Sequence, residues 1–276
     1  MSGRGGDEVE LRNYKINDER EVLVLSKSKS EAELQQHKAQ ALGKLSAYLD
    51  QLITSDDPKQ MGKADKLSYW LKDWCTFLDF ESQFSPMSLR RYERGEIIKV
   101  HLGFNIGSEE GGLHYAVVLD KYNPKSSPVV TIIPLTSVKP KTDLNHLKSG
   151  NVFLGNELYT NLSSKISTTQ KRINEEVSLL AQIIKSMSDD SPSEENQAAI
   201  ERLDKLIEEC NLLDRMRDEI FRMRTGSIAL IKQITTISKI RIYDPKTDHD
   251  ILSNIKLSNE KLDLIDAEMR KKFISK

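Results

Sequence analysis

Arg94-Gly95-Glu96-Ile97-Ile98-Lys99-Val100, followed by Gly107-Ser108-Glu109-Glu110-Gly111-Gly112-Leu113-His114-Tyr115-Ala116-Val117-Val118-Leu119, is where the periodicity of this chain changes. Before it, apolar residues recur every three or four positions, the spacing of a helix face. From Gly95 onward they come as short β-branched runs, the signature of buried strands. Residues 96–102 and 115–119 are predicted strands. Asn123-Pro124-Lys125-Ser126-Ser127-Pro128 is a turn, and Val129–Leu135 is a third strand. Asn151–Leu154 is a weaker fourth. Short strands separated by turn signals predict a small antiparallel barrel or sandwich.

Upstream, residues 1–30 are polar and aperiodic, and the reading there is a flexible arm. Residues 31–85 form a predicted N-terminal helical region. Leu42, Leu45, Leu49 and Leu52 line one helix face, and Ser55-Asp56-Asp57-Pro58 breaks it. A second helix is expected from about Ala64 to Phe80. Its stripe of Leu67, Trp70, Leu71, Trp74, Phe77 and Leu78 carries both tryptophans of the chain. The stripe serves either as packing surface or as a partner-binding face.

Downstream of the fourth strand the helical period returns. Ile166, Ile173, Val177, Leu180, Ile184 and Met187 make one seam; Ile200, Leu203, Ile207, Cys210, Leu213, Ile220 and Met223 make another. Ser188-Asp189-Asp190-Ser191-Pro192 separates them, with Ser191 and Glu194 spaced as a capping box. The pair reads as an antiparallel helical hairpin over 163–224. Strand patterns resume at Ile228–Ile231 and Ile234–Ile237, with Lys239–Ile242 as a short extension. Ser258 is placed to cap a last helix. The expected fold is therefore α+β: a small antiparallel β-barrel of SH3-like type, formed by residues 92–162 and 225–276 and interrupted by the inserted hairpin.

Composition narrows the function classes. Of 276 residues, 41 are Lys or Arg and 42 Asp or Glu, for a formal net charge of −1. The β segments carry a small basic excess and the helical segments an acidic one, so the β part is the better match for a phosphate backbone. No apolar run approaches the ~18 residues of a membrane helix. The opening MSGRGGDEVE has no apolar core, which predicts no secretory leader and a cytoplasmic protein. Cys75 and Cys210 form no metal-ligand spacing; both are expected to be buried, inert thiols, with neither a disulfide scaffold nor a metal site. No cofactor is expected.

The loop at 107–112 suits anion binding, since its turns present backbone N–H groups. Ser108 adds a hydroxyl and Glu109 a carboxylate. His114 stands where the loop becomes strand and is the side chain best suited to proton transfer near neutral pH. Thr136 and Ser137 end the third strand with two hydroxyls, and Lys139 and Lys141 follow.

Four blocks together resemble the PemK/MazF family, most of whose members are toxin endoribonucleases of bacterial toxin–antitoxin pairs. They are Arg94–Val100, Gly107–Leu119, Ile132-Ile133-Pro134-Leu135-Thr136-Ser137, and Ser227–Ile237. They stand in the family's order, and they cover about 94–160 and 226–276. The resemblance implies metal-independent, sequence-specific cleavage of single-stranded RNA, a homodimer and a cognate antitoxin. It implies catalytic roles for His114 and Thr136, and substrate contacts from Ser108, Glu109, Gly112, Ser137, Lys139 and Gln233. The chain departs from the family pattern at three points. His114 stands at the usual Arg position, Tyr115 at the following Pro, and Lys232 where an acidic residue is usual. Arginine clamps phosphate with two parallel bonds and histidine does not. The alternative expectation is thus a catalytically inert module of the same fold that binds protein or nucleic acid. A third is an inhibitor of another protein.

Overall fold

A computed structural model describes residues 29–186, 194–221 and 223–274. The expected arm at 1–30 falls almost wholly outside the described residues. So do the turn at 188–192 and its capping box. Two compact units divide at Ala64 and Asp65.

In the first unit, α1 spans Glu31–Ile53. Ser30 and Glu33 close a capping box: Glu33 N donates to Ser30 Oγ at 3.3 Å and Ser30 N donates to Glu33 Oε2 at 2.7 Å. The next helix, α2, spans Pro58–Glu81, crosses the division so that Asp65–Glu81 lies in the second unit, and begins six residues before the expected start at Ala64. Asp57 is the cause. Its carboxylate accepts from Lys59 N at 2.9 Å, and Pro58, which has no N–H to satisfy, takes the first helical position. The tetrapeptide read as a breaker is therefore also a helix start.

The second unit is built on a seven-stranded antiparallel sheet. The strands are β1 (Ile97–His101), β2 (Leu113–Val118), β3 (Val129–Ser137), β4 (Asn151–Phe153), β5 (Ser227–Leu230), β6 (Thr235–Ser238) and β7 (Ile242–Asp244). Their order is β4-β5-β3-β2-β1-β7, and β6 also pairs with β3. The sheet does not close on itself; the three-residue strands β4 and β7 end the path. An open antiparallel sheet thus stands where a barrel was expected.

The long strand β3 organises this sheet. One edge pairs with β2; the other pairs first with β6 and then with β5. Between those partners the register slips by three residues: Ile132 faces Thr235, whereas Leu135 faces Ala229. The slip is taken up by a 3₁₀ turn at Ile231–Gln233. Pro134 lies on β3 in the gap between partners, where its missing N–H leaves no ladder bond unmade. The expected run 234–237 is seen as β6. The expected extension 239–242 is instead a 3₁₀ turn, Lys239–Arg241, leading into β7.

Both faces of the sheet's central part, strands β1, β2, β3 and β5, are largely buried, so these strands read as continuous apolar runs rather than alternating ones. Ile97, Val117 and Ile133 face a core completed by helices α3 (Glu157–Ser186), α4 (Glu194–Phe221) and α5 (Asn259–Phe273). Ile98, Val100, Ala116 and Ile132 face a second core with Leu89, Tyr92 and Ile242. Helices α3 and α4 lie between β4 and β5 in sequence and run antiparallel. Arg172 pairs with Glu209 at 3.1 Å and Arg202 with Glu176 at 2.7 Å. Their inner seam of Leu162, Ile166, Ile173, Leu206, Leu213 and Ile220 joins the first core. At the return to the sheet, Gly226 has φ +117°, and a Cβ there would lie 2.5 Å from Phe153 Cε2. Ser258 caps α5 as expected, accepting from Lys261 N at 3.4 Å. Its own Oγ donates to Glu157 Oε2 at 2.8 Å, tying the start of α5 to the start of α3.

The thiols differ from expectation. Cys75 is exposed and Cys210 half-buried, because the seams of α2 and α4 are only partly covered. The α2 stripe divides in the same way. Trp70 and Phe77 approach His101, with centroid distances of 4.6 and 6.5 Å, whereas Trp74 is 47% exposed and Leu78 50%.

Candidate active site

The register slip on β3 puts Gln233 outside the strand ladder, at the end of the 3₁₀ turn, facing the glycine loop. Its Nε2 donates to Ser108 O at 3.0 Å, and its Oε1 accepts from Glu110 N at 3.4 Å. The side-chain amide thus substitutes for a strand partner and holds the loop between β1 and β2. The loop's other end is closed by backbone. Gly112 N donates to Gly103 O at 2.6 Å, and Leu102 N donates to Gly112 O at 2.7 Å.

Below the loop is an open cavity of about 700 Å³. Ser108, Thr136, Ser137, Lys139 and Gln233, all expected site residues, line it together. Three further lysines, Lys141, Lys148 and Lys232, join Lys139 there, against the carboxylates of Glu110 and Asp143. Lys139 Nζ lies 3.4 Å from Ser137 Oγ. The Lys232 stem lies against the backbone of the β4 approach. It covers Gly150, where a Cβ would meet Lys232 Cγ at 2.6 Å. His146 also reaches this wall. It bonds Asp143 Oδ2 at 2.9 Å, and that bond holds the Asp143 carboxyl below the usual carboxylate range.

His114 sits beside the cavity rather than in its lining. The β2–β3 register pairs Ala116 with Pro134, and continued by two residues it sets His114 opposite Thr136. The imidazole Nδ1 is 3.2 Å from Leu135 O, a carbonyl that can only accept, so Nδ1 carries the proton. Nε2 is left to face Glu110 Oε2 at 3.6 Å. Histidine thus reaches the cavity through Glu110. Glu110 was missed as a site residue, although its position four residues before His114 was readable.

Glu109 and Gly112 are placed apart from Thr136. Both line a cavity of about 470 Å³ on the α2 side of the loop, and Glu109 also lines a smaller one next to Gln233. His101 faces this second region. Its Nδ1 accepts from Gly103 N at 3.0 Å, and its Nε2 is 3.4 Å from Asp73 Oδ2. Burial lowers the His101 pKa; Asp73 opposes that shift and Arg241 adds to it.

Among the described residues, no three His, Cys, Asp or Glu side chains converge as a metal-ligand set. Nor is any helix there long and apolar enough to cross a membrane.

Residues 93–203 match the family model described as the PemK-like, MazF-like toxin of type II toxin–antitoxin systems. No curated protein sequence matches the chain. The matched segment runs from β1 through α3 into α4 and stops before β5. It therefore takes in helical sequence outside the four resembling blocks and leaves out the block at Ser227–Ile237. The region that carries the glycine loop, His114 and Thr136 belongs to the PemK-like, MazF-like toxin family.

Proposed function

We propose that this chain is the toxin of a type II toxin–antitoxin pair and cleaves single-stranded RNA at the lysine-lined cavity, with no metal required. One observation carries the reading: hydroxyls, lysines and a carboxylate–imidazole pair converge on the family-matched loop and strand end.

The chemistry follows from these groups. Glu110, backed by His114 Nε2, takes the proton of a ribose 2′-OH. The 2′-oxygen attacks the adjacent phosphorus while Lys139, Lys232 and the Thr136 hydroxyl stabilise the added negative charge. The P–O5′ bond breaks, and the Lys232 ammonium gives a proton to the departing 5′-oxygen. The products are a 2′,3′-cyclic phosphate and a 5′-hydroxyl. Ser108, Ser137 and Gln233 position the strand, with Glu109 and Gly112 on the far side of the loop. Unpaired RNA fits this reading because its bases can be splayed out and contacted singly.

The α3–α4 pair is an insertion between β4 and β5 in one β domain. A homodimer in the cytoplasm is the working assembly, with the antitoxin covering the cavity. A second reading has one observation in its favour: His114 already has two partners, as a purely structural histidine does. On that reading the domain binds nucleic acid or protein without cutting.

Incubation of the purified chain with a long RNA in EDTA, with the ends mapped, separates the two. Discrete cuts bearing cyclic phosphates are expected. RNA that is bound but left intact supports the inert module.

A further inference from the structure

The cavity of about 470 Å³ on the α2 side of the loop is not used by the reaction above. Its wall is aromatic. Tyr69 is 64% exposed at the mouth, Trp70 stacks on His101 at 4.6 Å with 25° between the planes, and Phe104 completes it. Trp70 is fixed on its other sides. The Arg241 guanidinium lies 5.7 Å from its ring centroid, and a Cβ on Gly103 would meet the ring at 3.1 Å. Lys66 adds a cation at the mouth, and Asn105 and Glu109 supply hydrogen-bonding groups.

This cavity is linked to the reaction site through shared wall residues. Asn105 and Glu109 line both it and a neighbouring cavity of about 430 Å³. That neighbour shares Glu110, Lys232 and Gln233 with the lysine-lined cavity. A single strand laid along this path meets cations at one end and aromatic rings at the other. Proteins that hold unpaired nucleic acid combine these same two features.

We propose that the cavity walled by Tyr69, Trp70 and Phe104 is a subsite for one nucleobase of the RNA strand, displaced from the bond that is cut. The proposal rests on the ribonuclease reading above. The base stacks against the exposed Tyr69 ring and packs beside Trp70, and Asn105 or Glu109 bonds its edge. Helix α2 thereby becomes part of the substrate surface.

The test uses the full chain with Trp74→Phe, which leaves Trp70 as its one tryptophan. The probe is a mixed-sequence 2′-O-methyl RNA, which cannot be cut for lack of the nucleophile. Saturable quenching of Trp70 fluorescence is expected. Adding Tyr69→Ala, a change at an exposed position, should weaken binding about ten-fold, the scale of one lost stacking contact. RNA bound with Trp70 unquenched and no effect of Tyr69→Ala overturns the subsite and leaves the nuclease reading standing. Failure of the unsubstituted chain to bind or cut RNA overturns both. Quenching by an antitoxin peptide but not by RNA assigns the cavity to protein and also overturns the proposal.

Discussion

Gln233 holds Ser108 across the gap between the 3₁₀ turn and the glycine loop: Gln233 Nε2 donates to Ser108 O at 3.0 Å, while its Oε1 takes the Glu110 N–H at 3.4 Å. Two segments more than a hundred residues apart in sequence are joined by one side-chain amide. Replacing it with alanine removes both bonds and should cost about 1 kcal/mol of stability, the net scale of half-exposed hydrogen bonds. Cleavage should fall more steeply, on the order of ten- to a hundred-fold, because the loop carries Ser108 and Glu110. Equal rates for Gln233→Ala and the parent would remove Gln233 from the site.

The pair His114→Ala and Thr136→Ala, combined in one chain, should abolish detectable cleavage. Losing the imidazole that backs the general base and the hydroxyl that stabilises the developing charge should together cost about 10²–10⁴-fold. Both side chains are half-buried, so thermal unfolding should stay cooperative. Cleavage at the parental rate by a folded double variant would refute the assignment.

Lys139 is exposed, and its loss should leave the fold untouched. If it contacts a phosphate, Lys139→Ala lowers the slope of log affinity against log salt by about 0.7 for a single strand. A parallel salt line for the variant would show that Lys139 makes no such contact.

Gly103→Ala tests how α2 meets the loop. Gly103 has φ +94°, and an added Cβ would lie 3.1 Å from the Trp70 ring and 3.2 Å from Arg241 Nη2. The left-handed backbone alone costs about 1–2 kcal/mol. The variant should unfold at lower temperature, with Trp70 fluorescence shifted to longer wavelength as the ring is displaced. An unchanged spectrum would mean that the ring is not held as described.

His101 predicts a pH dependence of stability. Burial, reinforced by Arg241 and opposed by Asp73, depresses its pKa below the ordinary 6.5, so the folded chain binds this proton more weakly than the unfolded one. Stability from this site is fully present above the unfolded value. It is lost as pH falls through 6.5 toward the lower folded value. The melting temperature should decline between about pH 7 and about pH 5, and His101→Gln should flatten part of that decline. A His101→Gln curve parallel to the parent's would place the titration elsewhere.

The strands and helices were legible because each leaves a local period. Val129–Leu135 and Tyr115–Leu119 were seen within one or two residues of their observed ends, and Ser258 was recognised as a cap. The start of α2 was misplaced because Asp57-Pro58 punctuates in two senses, ending one helix and starting the next. The buried thiols were misjudged because a helical stripe says which residues share a face, not whether anything covers it.

The candidate site was legible in part. Ser108, Thr136, Ser137, Lys139 and Gln233 were named from sequence, and one cavity gathers them. Glu110 was not, although it is the group through which His114 reaches that cavity.

Residue order alone determined the kinds of element, their succession and the glycine-rich loop, since backbone preferences and hydrophobic period act over a few neighbours. It also carried the family resemblance. Tertiary structure decided that the sheet stays open, that β3 changes partners at Pro134, and that the resulting slip turns Gln233 toward Ser108. Those outcomes depend on strand pairing over long sequence separations. There a slip of a few residues, invisible to any local pattern, sets which side chains meet.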